Sequence, residues 1–538
     1  EARERFAYNS RGQVGARCVV DPALPAADGY VCGASANAPT GVRQTRQSYC
    51  EQTSVTCSHI GLLAEVDGAR TDVVDITSLS YRTADDASCA SSPSTCPYRK
   101  GDLWKVTNAV GHVTEAVSRD PAGRVISRKD PNGVFADQTY HARGWPTHQK
   151  VRGTNEQVET DDAVTQFQYD LAGNTTKVTQ PDGSYLAYTY DGAGRLTRIT
   201  DRTGAYIQFE LDSAGNRQIQ KTYTASSVLK QRIAREFDVL SRLHRERDAL
   251  NASGVTLSGA AVNDPTQGRL GANHAYDGNG NRIETIDGLG YDTDQVYDPL
   301  NRLVSTLDAL RPQCPASDVN CGKTQYAFDA RDNLISVTDP KGLITHYTRD
   351  GLNSLTALNS PDTGVTLYAN DAAGNRISQT DARGVTTTFG YDALNRLQST
   401  AYPSAPLNVT NQYDQLHSVC PIAERFNTGK LSTILDASGS TKFCHDRFGN
   451  EVRRISIVGS ATFVTRSSYD LAGNLTQLIY PSGLVVGYTR DQAARISSVT
   501  AGGTLIASAS YLPMGPLQNL AFGDGSTLAR QYDANYAI

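Results

Sequence analysis

Apolar residues recur in this chain at fixed distances from aspartate, not with a helical period. The third residue before a turn aspartate is aromatic at Phe167, Tyr188, Phe209, Tyr326, Tyr347, Tyr368, Phe389 and Tyr488. The fifth residue after it is aliphatic at Leu196, Leu243, Leu303, Leu334, Leu355, Leu397, Leu475 and Ile496. Strand side chains alternate between faces, so equivalent repeat positions fall into columns on one face of a sheet. Neighbouring aromatic rows are expected to reinforce pairing, each contact by about 0.2 to 1 kcal/mol.

The aspartates themselves keep register. Asp170, Asp191 and Asp212 lie 21 residues apart, as do Asp277 and Asp298, Asp329, Asp350, Asp371 and Asp392, and Asp470 and Asp491. Most are followed within three residues by glycine, as in Tyr190-Asp191-Gly192-Ala193-Gly194-Arg195. A second turn signal falls between them, at Pro181-Asp182-Gly183, Asp201 to Gly204, Asp381 to Gly384 and Pro481-Ser482-Gly483. Two turns per period leave two short strands, so the unit is a β-hairpin and the chain an all-β array of 21-residue hairpin repeats. The segment Leu229 to Leu250, rich in Arg, Glu, Leu and Ala, would pass locally for an amphipathic helix. Phe237-Asp238-Val239-Leu240-Ser241-Arg242-Leu243 fits the repeat in register, which predicts strand instead.

Departures from the period mark insertions. Asp298 to Asp329 is ten residues too long, and Asp414 to Asp446 spans 32. The excess carries cysteines, and the spacing predicts clipped loops near 309–324 and 415–445 within an array over 116–538. Residues 1–115 form a less regular, cysteine-containing segment of the same kind, as Tyr8-Asn9-Ser10-Arg11-Gly12 shows. Of ten cysteines, Cys50 and Cys57, Cys89 and Cys96, and Cys314 and Cys321 are each seven positions apart across turn-forming residues. Cys18 with Cys32 and Cys420 with Cys444 would complete five disulfides, although spacing leaves the connectivity open. Zinc would need closer ligand pairs, and no C-x2-C occurs. Disulfides in this number imply an oxidising compartment.

Composition narrows the function. A length of 538 residues would ordinarily mean three or four domains, but a stack of repeats can grow as one body. The net charge of -5, with 51 scattered Lys and Arg, offers no concentrated basic surface for nucleic acid. No stretch reaches the roughly 18 apolar residues of a membrane helix. Starting at Glu1, with Met514 as its single methionine and no signal segment, the chain reads as an interior or processed piece of a longer polypeptide.

Candidate chemistry is sparse. Asp277-Gly278-Asn279-Gly280-Asn281 resembles the start of a calcium loop but has Gly288 where the closing glutamate belongs, and it coincides with a repeat turn. Gly192-Ala193-Gly194 lacks the third glycine and helix of a phosphate cradle. The nine histidines are dispersed, with no H-E-x-x-H and no G-x-S-x-G. An aspartate at a turn ordinarily accepts backbone hydrogen bonds, which accounts for the repeated carboxylates without acid catalysis. No catalytic residue, cofactor or metal site is expected. The 27 tyrosines could stack on sugars, although packing columns explain their spacing without a ligand.

Tyr-Asp-x-x-Gly-Arg or Asn followed by an aliphatic residue resembles the RHS or YD repeat of bacterial RHS proteins, toxin-complex shell proteins, wall-associated proteins and teneurins. The resemblance implies hairpins joined into one long antiparallel sheet that spirals into a hollow shell or open ribbon, often around a toxic C-terminal domain. It therefore implies a non-catalytic scaffold or encapsulating shell of a secreted polymorphic toxin, with an enclosed effector as partner. The alternative is a cell-surface adhesion or matrix protein whose loops bind glycans or proteins. Uncapped strand edges would further allow head-to-tail association into a filament. Asp339-Pro340-Lys341-Gly342-Leu343 resembles part of the family's self-cleaving core ending, but it occupies an ordinary second-turn position and more repeats follow, so self-cleavage is not expected.

Overall fold

The computed structural model describes residues 2–35, 37–154, 158–308 and 322–538. They form a single sheet of 41 strands in which each strand pairs antiparallel with the next along the chain. The one α-helix among the described residues is a single turn, Pro25–Asp28. The ambiguous segment is two strands, Leu229–Phe237 and Leu243–Arg247. Alternation within each strand settles that choice, because a meander leaves no layer in which an isolated helix could bury its stripe.

Strands Tyr185–Tyr190, Leu196–Asp201 and Tyr206–Leu211 show how one unit closes. At the first turn the Asp191 N–H donates to the Arg195 carbonyl and the Gly194 N–H to the Asp191 carbonyl, both at 3.0 Å. Gly194 has φ +76°, the left-handed conformation that lets a type I turn join two strands with the right twist. Pairing resumes at Tyr190 opposite Leu196 and then slips by one residue. The slip is a β-bulge, which adds local twist to every hairpin at the same edge of the ribbon. Thr197, the unpaired residue, donates its hydroxyl to the Thr189 carbonyl, and Thr356 and Thr476 do the same in their repeats. The second turn, Gln180 to Ser184, closes with the same pair of backbone bonds and carries no slip.

Twist repeated at one edge curls the ribbon, and the chain meets itself roughly 300 residues later. Gly351 donates its N–H to Asp21 across 330 residues, and Arg70 donates to the Asp392 carbonyl across 322. Thr428 N–H reaches Asn132 across 296 residues, Asn474 reaches Asp182 across 292, and Gln231 reaches the Asn535 carbonyl across 304. The structure is an open spiral in which a second winding rests on the first. Fully buried apolar clusters are small and local, the largest gathering Ala16, Cys18, Val20, Ala27, Cys32 and Val42. Most strand positions are only partly covered, so adjacent-strand contacts hold the body together.

Gly194→Ala is expected to lower stability by about 1–2 kcal/mol, because an added Cβ meets no close neighbour there and only the left-handed backbone penalises it. Ala494 already holds that conformation, with φ +62°. Ala494→Gly is therefore expected to shift the urea midpoint upward, with the opposite sign to Gly194→Ala. Equal midpoints for the three proteins would show that the left-handed turn residue is not limiting.

Candidate functional site

Each repeat turn is organised by its aspartate. The Asp392 Oδ1 accepts the backbone N–H groups of Leu394 and Arg396, each at 2.9 Å, while its Oδ2 accepts Arg396 Nε at 2.6 Å. Where the fifth residue is asparagine, the geometry is the same: Asp170 Oδ1 takes Ala172 and Asn174 N–H, and Oδ2 takes the Asn174 amide. The Asn174 side chain holds Asp170 below the ordinary carboxylate range, and the Arg195 backbone N–H, followed by its guanidinium, does so for Asp191. These carboxylates are fixed as anionic acceptors, the reverse of what a general acid requires. Asp277 in the calcium-like loop has both oxygens engaged by Asn279 and Asn281. Asp339 closes an ordinary second turn with Leu343.

The residues on either side of the aspartate tie one repeat to another. The preceding tyrosine donates its hydroxyl to a carbonyl one hairpin back: Tyr190 to Thr175, Tyr391 to Arg376, Tyr511 to Ile496 and Tyr532 to Leu517. The arginine reaches forward, with Arg195 donating to the Asp212 carbonyl, Arg242 to that of Asp277 and Arg302 to that of Asp329. Its guanidinium also lies over the next ring, Arg242 over Tyr276 at 4.6 Å and Arg495 over Tyr511 at 4.7 Å. The aromatic residues two places further upstream, Phe167, Tyr188, Phe209, Tyr326, Tyr347, Tyr368, Phe389 and Tyr488, are partly or fully buried. They face the intervening strand, Phe167 opposite Val178, Tyr188 opposite Ile199 and Tyr347 opposite Leu358. Successive column members are separated by that strand, about 10 Å in all, so each faces it instead of another ring, and Phe209, Tyr368 and Phe389 stand opposite the polar Gln220, Gln379 and Thr400.

The clipped loops are expanded turns of the same kind. Tyr49 donates to the Val14 carbonyl, and Cys50 stands where aspartate should be, bonded through its backbone to Gly61 and Leu62. Tyr81 donates to the Leu63 carbonyl, and Arg82 takes the aspartate's place, bonded to Gly101 and Asp102. In both, pairing restarts with the usual slip, Tyr49 opposite Leu63 and Tyr81 opposite Leu103. Sequence reading missed these two motifs because the aspartate is replaced and the closing glycine lies far downstream. The tyrosine before a lone Gly-Leu or Gly-Asp-Leu was the remaining signal. Disulfides join Cys50 to Cys57 and Cys89 to Cys96 inside these loops, Cys18 on strand Val14–Val20 to Cys32 in the expanded second turn that follows it, and Cys420 in the Asp414 loop to Cys444 on strand Gly439–His445. Cys314 and Cys321 lie outside the described residues.

The seam between windings has a consistent polarity. Its lower side is the second-turn edge of the first winding, its upper side the aspartate-turn edge of the second. Buried Arg70 bridges Asp72 at 2.6 Å and Asp371 at 3.3 Å and donates to Asn395. His112 lies 3.4 Å from Asp414, which also pairs with Arg396 at 2.7 Å. Burial pushes the Asp414 carboxyl up, but hydrogen bonds from Arg396 and the Gly429 N–H, with the charges of Arg396 and His112, hold it below its ordinary value. Further along, a cleft of about 430 Å³ opens between Tyr185, Leu186 and Tyr188 below and Ala493, Arg495 and Met514 above. Away from the seam, Glu284, Asp292 and Asp294 bring carboxylate oxygens within 4.8 Å of one another.

The RHS Repeat family model matches residues 190–228, 328–365 and 371–405, where the Tyr, Asp, Gly and Arg positions have just been described. The chain is an RHS-repeat protein. No curated protein matches this RHS chain in sequence. Among solved structures it is similar to TcdB2-TccC3 without its hypervariable C-terminal region, with TM-score 0.60 at 13% identity over 99% of this chain and 34% of that one. The complex TcdB2-TccC3-Cdc42 gives TM-score 0.59 at 12% identity, over 99% and 34%. The Tc holotoxin pore of Photorhabdus luminescens gives 0.56 at 13%, over 98% and 28%. These likenesses establish a shared fold, and the RHS chain spans about a third of the length of the chains it resembles.

Two expectations follow. Because the folded-state pKa of Asp414 is depressed, its contribution to the seam is fully present above the unfolded value, about 4, and is lost as pH falls from there through the lower folded-state value. Protection of the amides at 412–416 and 428–432, taken relative to their intrinsic exchange at each pH, should fall on acidification below the unfolded value, and Asp414→Asn should weaken the seam at neutral pH and flatten the dependence. Replacing both Cys420 and Cys444 by alanine should destabilise the loop between them by about 3 kcal/mol, from lost loop-closure constraint, read by exchange or protease sensitivity near Arg425.

Proposed function

We propose that this RHS chain is a structural wall, part of a secreted shell that surrounds an effector in the manner of a polymorphic-toxin carrier. The observation that supports it most is the seam. The meander returns on itself after 300 or so residues and lays one turn edge on the other, which makes a wall from a ribbon. Encapsulation needs closed walls and no reacting groups, and the repeat-turn aspartates are committed as turn acceptors. The four disulfides among the described residues fit an oxidising compartment. The fold shared with TcdB2-TccC3 supports the same reading.

A second reading is surface binding through the clipped loops. The Cys50–Cys57 and Cys89–Cys96 loops lie on adjacent units of one edge and leave Val55 and Ile60 exposed. Variation in such loops is tolerated because the scaffold beneath them is unchanged. On this reading the protein is an adhesive scaffold for glycans or proteins, and the wall is incidental.

Electron microscopy of the particle purified from its source, with limited proteolysis, separates the two. The carrier reading expects a hollow wall with internal density, and an enclosed polypeptide that resists protease until the disulfides are reduced and the wall opened. An open ribbon whose whole polypeptide is cut at once refutes it.

A further inference from the structure

The unit closed by Asp371 departs from the repeat at two places that face each other. Tyrosine precedes the turn aspartate at Tyr190 and Tyr391, but Asn370 stands there in this unit. The fifth residue after the aspartate is aliphatic in the units on either side, at Leu355 and Leu397, but here it is Arg376. Asn370 and Arg376 lie directly opposite each other, at the ends of strands Gly364–Asn370 and Arg376–Thr380. Asn370 keeps the backward bond of the tyrosine, its Nδ2 donating to the Leu355 carbonyl at 3.3 Å. It makes that bond without a ring, so the space a ring would fill stays open. Arg217 and Arg282 hold the same repeat place as Arg376 but are exposed, whereas Arg376 is half-buried.

A cleft of about 640 Å³ opens in the seam at this unit. Arg43, on strand Val42–Tyr49 of the first winding, enters it from the opposite side. One Nη of Arg43 donates to Ser354 Oγ at 2.5 Å, and a Cβ added to Gly374 would stand 3.0 Å from that nitrogen, so the bare backbone of Gly374 makes room for the guanidinium. Arg376 comes from the second winding, lies over the Tyr368 ring at 3.9 Å and donates to Gln379 Oε1 at 3.4 Å. Among the described residues neither guanidinium has a carboxylate partner, and no Asp or Glu lines the cleft. Other arginines along the seam are neutralised, Arg70 by Asp72 and Asp371, Arg396 by Asp392 and Asp414, and Arg495 by Asp491. Two uncompensated cations therefore share one cleft in a chain whose net charge is -5. Leu355, Leu397, Phe389 and Tyr391 give the cleft an apolar side as well.

We propose that this cleft binds a small organic acid, its carboxylate or phosphate held by Arg43 and Arg376 and its apolar part resting against Phe389 and Tyr391. A guanidinium suits such oxyanions because its planar fork of N–H groups matches two oxygens at once, and charge-assisted bonds of this kind are stronger than neutral ones. The volume is that of a site for a small molecule, in which a few polar groups orient a ligand and apolar walls cover the rest of it. A cationic ligand would meet two arginines and no carboxylate. A bare inorganic ion would leave the apolar side uncovered. Both sides of the cleft are residues of this chain, and the site is independent of whether the wall encloses an effector or the clipped loops bind a partner.

Calorimetric titration of the full chain tests this, with phenyl phosphate and benzoate as probes. At least one of them should bind, and the tighter of the two identifies the acid group. Inorganic phosphate and acetate, which lack the ring, should bind more weakly than the probes, and benzyl alcohol and benzylamine should not bind. Arg376→Leu and Asn370→Tyr each restore the residue of the neighbouring units, the first removing a cation and the second filling the cleft. Both variants should therefore keep the thermal midpoint of the wild type. Each should weaken probe binding by about tenfold or more, the worth of one hydrogen bond to a charged group. Failure of both acids to bind at millimolar concentration, affinities unchanged in the two variants, or benzylamine bound as tightly as the acids would overturn the proposal.

Discussion

A meander of 41 strands depends on reversing the chain every ten residues or so without stranding a backbone polar group. An unpaired buried group costs about 1–3 kcal/mol, so turns that failed to satisfy their own N–H groups would soon exceed what strand pairing returns. The aspartate meets this constraint within five residues. One oxygen takes two backbone N–H groups of the turn, and the other fixes the fifth side chain, as at Asp392 and Arg396. With that side chain fixed, its far end is delivered to the next repeat. Arg195 and Arg302 reach a neighbouring turn because their near ends are already held by Asp191 and Asp298.

The consequence is a body whose cohesion is local. The tyrosine binds backward and the arginine forward, so each hairpin is coupled to its immediate neighbours and to little else, as in other quasi-one-dimensional repeat proteins. Such a body tolerates insertions inside its turns provided the closing contacts survive. Tyr49, Tyr81 and Tyr413 keep their backward bonds while eight or more residues are let into the turn behind them. A disulfide then restrains the excess chain that the aspartate clamp no longer organises, which explains why Cys50 can stand in an aspartate's place.

Most of the fold was legible in the sequence because its determinants lie within one period. The aspartate, the left-handed glycine and the aliphatic residue five positions on are all local, and they outweighed the helical appearance of Leu229 to Leu250. Tyr49-Cys50 and Tyr81-Arg82 were not legible, because insertion moved the closing glycine out of the window in which a motif is recognisable. The aromatic column was visible but its partners were not, since the intervening strand supplies Val178 or Ile199 where another ring had been expected. The seam was beyond reach for a different reason. The Leu171 and Leu471 hexapeptides are identical, and nothing local distinguishes a covered turn from a free one.

What decides the spiral is therefore the accumulation of one small geometric bias. The slip stands beside every aspartate turn but at few second turns, such as that next to Tyr223, so the two edges of the ribbon differ in twist. Curvature of constant sign brings the ribbon round to itself, and the contact it then makes is mainly polar: Arg70 with Asp371, His112 with Asp414, Asn474 with Asp182. Partly exposed pairs such as His112 with Asp414 are individually weak, typically below about 1 kcal/mol, and for the buried Arg70 with Asp371 desolvation offsets much of the attraction. Their number along the seam, and the absence of a deep apolar core among the described residues, make the wall a sum of modest, separable contacts. A wall so built can hold its shape while its loops diverge, and it can part along the seam without breaking strand pairing, because the seam is made at the turns, in places by atoms that also serve their own turn, as Asn474 Nδ2 donates to both Asp470 and Asp182.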